Sequence, residues 1–133
     1  MTTFSRHTKM RVMTNEGEWS VVFYREEDGT SPVLDFLRSL DDQTQASIGW
    51  AVEQLRARNI QARGPLVRHL ADKLWELRRE SKTNIYRLVY FFFTGRRIVF
   101  VHGFQKKTEK TPLRELAIAR TRYGMFIEHE GGI

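Results

Sequence analysis

Glu76, Arg78, Arg87, His102, Lys106 and Lys107 are the residues whose types and spacing suit chemistry on a phosphate. Two arginines and two lysines can neutralise charge on a phosphorane, and Glu76 or His102 can carry protons. RNA brings its own nucleophile, the 2′-hydroxyl. A protein can therefore cleave it without a metal ion or a covalent intermediate. The reaction needs a base for that hydroxyl, cations for the developing charge and an acid for the leaving oxygen. Positioned acid–base groups contribute about 10²–10⁴-fold each, and preorganised charge often contributes more. The same residues have a plainer reading. Arg78 and Arg87 would be solvated sheet residues with Glu76 as an ion partner, Lys106, Lys107 and Lys110 an exposed loop, and His102 a hydrogen-bonded structural residue. His69 is read as structural, and the run Tyr90–Phe93 as core rather than as a stacking platform.

The elements that must position these groups follow from a change of period along the chain. Trp19–Tyr24 (WSVVFY) reads as a strand, and Ser31-Pro32 as a helix start with Ser31 as N-cap. A break at Asp41-Asp42 leads into a second helix on the spacing of Ile48, Ala51, Val52 and Leu55, ending near Asn59. Beyond Gly64-Pro65 the period drops to two. Lys73–Glu80, Asn84–Phe93 and Arg96–Phe104 then read as three strands joined by turns too short for anything but antiparallel neighbours. Thr111-Pro112 opens a last helix, expected to end near Tyr123 with Thr111 as its N-cap. The expected class is α+β: an antiparallel sheet in the order β-α-α-β-β-β-α, with a helix pair packed on one face. Residues 19–123 would form the domain, 1–18 a loose leader with a conceivable internal start at Met10 or Met13, and 124–133 a tail. Alternation places Trp75, Leu77, Tyr86, Leu88, Tyr90 and Phe92 beneath the helix pair. Glu76, Arg78 and Arg87 would then lie on the open face.

Composition narrows the ligand. At 133 residues, with 41% hydrophobic residues, the chain fits one domain with a real core. It contains no cysteine, which excludes disulfides and thiolate zinc sites. No metal site and no cofactor are expected. Nothing in the sequence resembles a membrane span or a signal peptide, so a cytoplasmic location is expected. Residues 1–62 carry seven Lys/Arg against nine Asp/Glu, whereas residues 63–122 carry fifteen against five. A half this basic attracts polyanions.

The segments Leu74-Trp75-Glu76-Leu77-Arg78, Tyr86-Arg87-Leu88-Val89-Tyr90 and His102-Gly103-Phe104-Gln105-Lys106-Lys107-Thr108-Glu109-Lys110-Thr111-Pro112 resemble the phage-derived HigB-like branch of the RelE toxin superfamily. Ser31-Pro32-Val33-Leu34-Asp35-Phe36-Leu37 is similar to that family's first-helix opening, and the likeness spans roughly residues 19–122. The resemblance implies the toxin of a type II toxin–antitoxin pair, an endoribonuclease that cuts mRNA in the ribosomal A site. A 2′,3′-cyclic phosphate and a 5′-hydroxyl are the products it implies, and a helix-turn-helix antitoxin the neutralising partner. By motif position it assigns Arg78, Arg87, Lys106 and Lys107 to the basic site. Lys73, Arg79, Lys82 and Lys110 are expected to help hold RNA. Some RelE toxins carry a Tyr shortly after the basic pair, where this chain has Thr111 and Pro112. The general acid is therefore open between His102 and a lysine. The alternative reading is a non-catalytic nucleic-acid-binding or regulatory protein on the same fold.

Overall fold

A computed structural model of the chain describes residues 19–107 and 111–131. Its elements are β1 (Ser20–Phe23), α1 (Pro32–Arg38), α2 (Asp42–Arg58), a 3₁₀ turn (Asn59–Gln61), β2 (Val67–Ala71), β3 (Leu74–Ser81), β4 (Asn84–Phe93), β5 (Arg97–Lys106) and α3 (Leu113–Phe126). A π-helical turn, Ile127–Gly131, continues α3. The expected leader, residues 1–18, lies outside the described residues, as does Lys110. No helix among the described residues is long and apolar enough to cross a membrane.

Local chemistry explains the helix starts. Ser31 accepts the Leu34 N–H with Pro32 in the first helical position of α1. Asp41 caps α2 by accepting from the Thr44 N–H at 3.1 Å and the Thr44 hydroxyl at 2.7 Å. These hydrogen bonds, together with Lys82, hold the Asp41 carboxyl well below the usual carboxylate range. The β3–β4 hairpin turns through Lys82 and Thr83, both at positive φ, which matches the twist of the strands it joins.

The sheet has five strands in the order β1-β5-β4-β3-β2 rather than four, and it is mixed rather than antiparallel. β1 runs parallel to β5, because the two helices between β1 and the meander return the chain for a parallel pairing. β2 escapes the sequence pattern because this five-residue edge strand has exposed Arg68 and His69 at its centre and little alternation to read. The helix pair lies on the expected face, where Leu77, Tyr86, Leu88, Tyr90, Ile98 and Phe100 pack against Val33, Leu34, Leu37, Ile48, Val52 and Leu55. The opposite face is not open along its length. Ala119 and Phe126 of α3 cover Leu74, Val89, Phe91, Val99 and Val101 there, with Leu116 and Tyr123 packed alongside. The last helix therefore runs past Tyr123, because Phe126 and Ile127 still have a sheet to bury against. Among the described residues, α3 leaves uncovered the end of this face beside the β3–β4 hairpin.

Candidate active site

Four strands and the segment before α3 build a polar cluster at that end. Cross-strand register puts Arg68 opposite Glu76, and Arg78 opposite Arg87. Lys106 joins them through a β-bulge. Val89 pairs with His102, but the next residue, Tyr90, pairs with Phe100, so Val101 is the extra residue. Strict alternation from Ile98 and Phe100 would turn His102, Phe104 and Lys106 toward α1 and α2. The bulge turns them instead to the face of Glu76, Arg78 and Arg87. Bulges commonly re-aim side chains in this way beside functional sites.

Glu76 is the anchor of the cluster and has no exposed surface. Its Oε1 accepts from Arg68 Nε at 2.9 Å and from Arg87 Nη1, while its Oε2 accepts from the Thr111 hydroxyl at 2.7 Å. Arg68 Nη2 also reaches the Thr111 oxygen, at 3.4 Å. Thr111 was expected to cap α3, but the cap position falls to Pro112 and the hydroxyl ties the helix start to Glu76 instead. Arg87 is buried, and its Nε has no hydrogen-bond partner among the described residues. Burial pulls its guanidinium below the ordinary arginine value, against the opposing charge and hydrogen bond of Glu76. Arginine stays protonated under any physiological condition.

Around this anchor the surface is cut by adjoining depressions. One, of about 440 Å³, is lined by Arg78, Arg87, Lys106, Lys107 and the hairpin residues Thr83 and Asn84. A second, of about 250 Å³, lies on the β2 side between Arg68, Glu76, Arg78 and Arg87. Lys107 also borders a third, of about 610 Å³, beyond β5. A cavity of about 690 Å³ lies elsewhere, between β1 and the end of α3. Glu26, Glu27, Glu128 and Glu130 line it, the wrong sign for a polyanion, so the smaller cationic pocket is the candidate site.

The structure thus brings Glu76, Arg78, Arg87, Lys106 and Lys107 together and adds Arg68 and Thr111, which sequence reasoning missed. Arg68 was illegible because β2 was; its position opposite Glu76 supplies its role. His102 does not join them. Its Nε2 lies 2.6 Å from Glu115 and its Nδ1 3.2 Å from Arg122, and its ring stacks on Phe104. Arginine can only donate, so Nδ1 must accept and Nε2 must carry the proton. Burial also pushes this imidazole below its ordinary value, with the Glu115 contact opposing and Arg122 assisting. A neutral imidazole with both nitrogens engaged is a structural strut beneath α3.

The residues expected to hold RNA scatter. Arg79 alternates onto the helix face, where its Nε bonds Ser47 at 2.7 Å and its guanidinium lies 4.5 Å over the Trp50 ring. Lys82 pairs with Asp41 at 3.0 Å, drawn toward α2 by the hairpin. Lys73 sits in the β2–β3 turn, at the opposite end of β3 from the cationic pocket. Among the described residues no group of His, Asp or Glu is arranged to hold a metal ion.

A comparison with known families decides the lineage. Residues 35–124 match the model of the family described as phage derived protein Gp49-like (DUF891). The chain belongs to this family. Gp49-like proteins are toxins associated with toxin–antitoxin pairs and related to RelE and HigB. The Gp49-like match takes in α2, β2, β3, β4 and β5 whole and most of α1 and α3, so it includes the whole cationic cluster. No curated protein shows a significant match to the chain.

Proposed function

We propose that this chain is an endoribonuclease toxin that cuts mRNA in the ribosomal A site by attack of the RNA 2′-hydroxyl. The observation that carries the reading is the convergence of Arg78, Arg87, Lys106 and Lys107 on one pocket over the buried Glu76 anchor. Four cations at one depression match a phosphate whose charge grows in the transition state. Arg87 Nε, buried without a partner among the described residues, costs about 1–3 kcal/mol. A bound phosphate oxygen offsets that cost.

In this reading the 2′-oxygen attacks the adjacent phosphorus and the bond to the 5′-oxygen breaks, leaving a 2′,3′-cyclic phosphate and a 5′-hydroxyl. Arg78 and Arg87 stabilise the phosphorane, and the Lys106 ammonium gives the leaving oxygen its proton. Glu76 is a positioning residue rather than a proton carrier, since its oxygens are engaged and none is exposed. The proton of the 2′-hydroxyl passes to a phosphate oxygen or to water. An antitoxin as the neutralising partner is supported by the toxin family. The ribosome as the place of cleavage rests on the resemblance of the basic motifs.

The test is induction of the chain alone in a bacterial host with mapping of mRNA 5′ ends, beside an Arg78→Ala/Lys107→Ala variant. Neither substitution removes a partner of Glu76, so the variant keeps its fold. Growth arrest with new in-frame mRNA ends, absent in the variant, is the expected outcome. Normal growth and unchanged mRNA with folded wild-type protein would leave the pocket as a binding surface only.

A further inference from the structure

The depression of about 610 Å³ beyond Lys107 takes no part in the phosphate chemistry, and its walls differ from those of the cationic pocket. β1 reaches only to Phe23 opposite Phe100, and the Tyr24 N–H closes the pairing on the Phe100 carbonyl at 2.9 Å. Past that point no described strand lies beside β5. By the alternation of an antiparallel ladder, Gly103 and Gln105 then turn their peptide groups to this open edge while Phe104 bonds to β4. Phe36 of α1 walls one side with a half-buried ring, and Pro112 and Glu115 wall the other. A Cβ at residue 103 would stand 2.9 Å from Phe36 Cδ2 and 2.8 Å from Leu88 Cδ2, so only glycine lets the ring close over the strand.

A flat heterocycle with donors and acceptors around its rim suits these walls. Its face can lie on Phe36, its edge can bond the peptide groups of Gly103 and Gln105, and Lys107 joins the cleft to the cationic pocket. We propose that this cleft is a nucleobase subsite, holding the base next to the phosphate bound by Arg78, Arg87 and Lys106. The proposal rests on the RNA reading of that pocket. Splayed bases of single-stranded RNA are recognised in this manner, by stacking on aromatic side chains and by hydrogen bonds along their edges. Arg114, exposed at the rim, adds a cation for the following phosphate.

The test compares non-cleavable 2′-O-methyl hexanucleotides of adenosine and of uridine with an abasic hexamer of the same backbone. Titration calorimetry gives affinities for the full chain, and amide NMR locates the contact. Base-bearing chains should bind about tenfold or more tightly than the abasic one. They alone should shift the Gly103 and Gln105 amides, and Phe36→Leu should reduce their affinity to the abasic level. Equal affinities for base-bearing and abasic chains, or unmoved Gly103 and Gln105 amides in the wild-type protein, would overturn the subsite. Because the amide shifts are read on the wild-type chain, a poorly folded variant does not obscure the answer. Failure of all three chains to bind would overturn the RNA reading of the cationic pocket itself.

Discussion

Arg78 and Arg87 stand directly opposite each other on β3 and β4, two cations in one cross-strand pair. Like charges so placed cost a sheet roughly 0.2–1 kcal/mol. The carboxylate nearby does not answer both, since Glu76 forms its ion pairs with Arg68 and Arg87. A pair that weakens the empty fold is intelligible if its charge is meant for a ligand.

Arg78→Ala therefore separates function from stability. Thermal or urea unfolding should show a stability equal to the wild type or higher by up to about 1 kcal/mol, because the repulsion is relieved. Cleavage should fall by about 10²–10³-fold, the usual cost of one preorganised transition-state contact. A variant that unfolds readily would mean that Arg78 holds the sheet; one that cleaves normally would remove it from the site.

Arg87→Ala behaves differently, because it strips a partner from a carboxylate with no exposed surface. Breaking a buried ion pair costs about 3–5 kcal/mol, whereas exchanging both partners for apolar groups is often neutral. Arg68 and Thr111 remain on Glu76, so a loss near the lower end, about 3 kcal/mol, is expected. The double variant Arg87→Met/Glu76→Leu should be more stable than Arg87→Ala alone. Urea denaturation of these proteins and of the single variants Arg87→Met and Glu76→Leu checks this; losses of the two single variants that simply add in the double one would show that the pair is not coupled. Loss of activity in Arg87→Ala thus needs a folding control before it speaks of chemistry.

Much of this site was legible because a strand has a period of two. Glu76 and Arg78 share a face by spacing alone, and the apolar set Tyr86, Leu88, Tyr90 and Phe92 fixes Arg87 on the other side of β4. Lys106 is another matter. Counting by twos from Phe100 sends it into the helix-pair face, and only the extra residue at Val101 returns it to the pocket. Bulges depend on the neighbouring strand, so no local pattern announces one. Likewise Arg68 was lost with β2, whose pairing with β3 rather than its own residues makes it a strand. Arg79 and Lys82 were drawn away by partners on α2 and at its cap, contacts made across the fold. Thr111 looked like a helix cap because its neighbours allowed that, while a buried carboxylate distant in sequence claimed its hydroxyl.

Lys107 is exposed at the junction of two depressions and should act as a phosphate contact rather than a structural residue. Affinity for a single-stranded RNA should fall with salt, the logarithmic slope losing roughly 0.7 for each phosphate contact removed. Lys107→Ala should show that reduction in titrations from low to moderate salt, with unchanged thermal stability. An unaltered slope would place Lys107 off the path of the RNA.

His102 gives the fold a pH dependence that is separate from catalysis. Its ring is buried against Phe104 between Glu115 and Arg122, and burial lowers its proton affinity below the ordinary value near 6.5. Between that value and the lowered one, the unfolded chain takes up a proton that the folded chain refuses. Stability is then complete above about pH 6.5 and is lost as pH falls below it. Urea midpoints at pH 7.5 and 5.5 should differ more for the wild type than for His102→Gln, whose amide can still donate to Glu115 but does not titrate. Nitrogen shifts of the imidazole give an independent check, since the Arg122 contact requires the proton on Nε2. A charged ring at pH 7, or a pH response unchanged in His102→Gln, would overturn the assignment. It would also restore His102 as a source of protons for the neighbouring site.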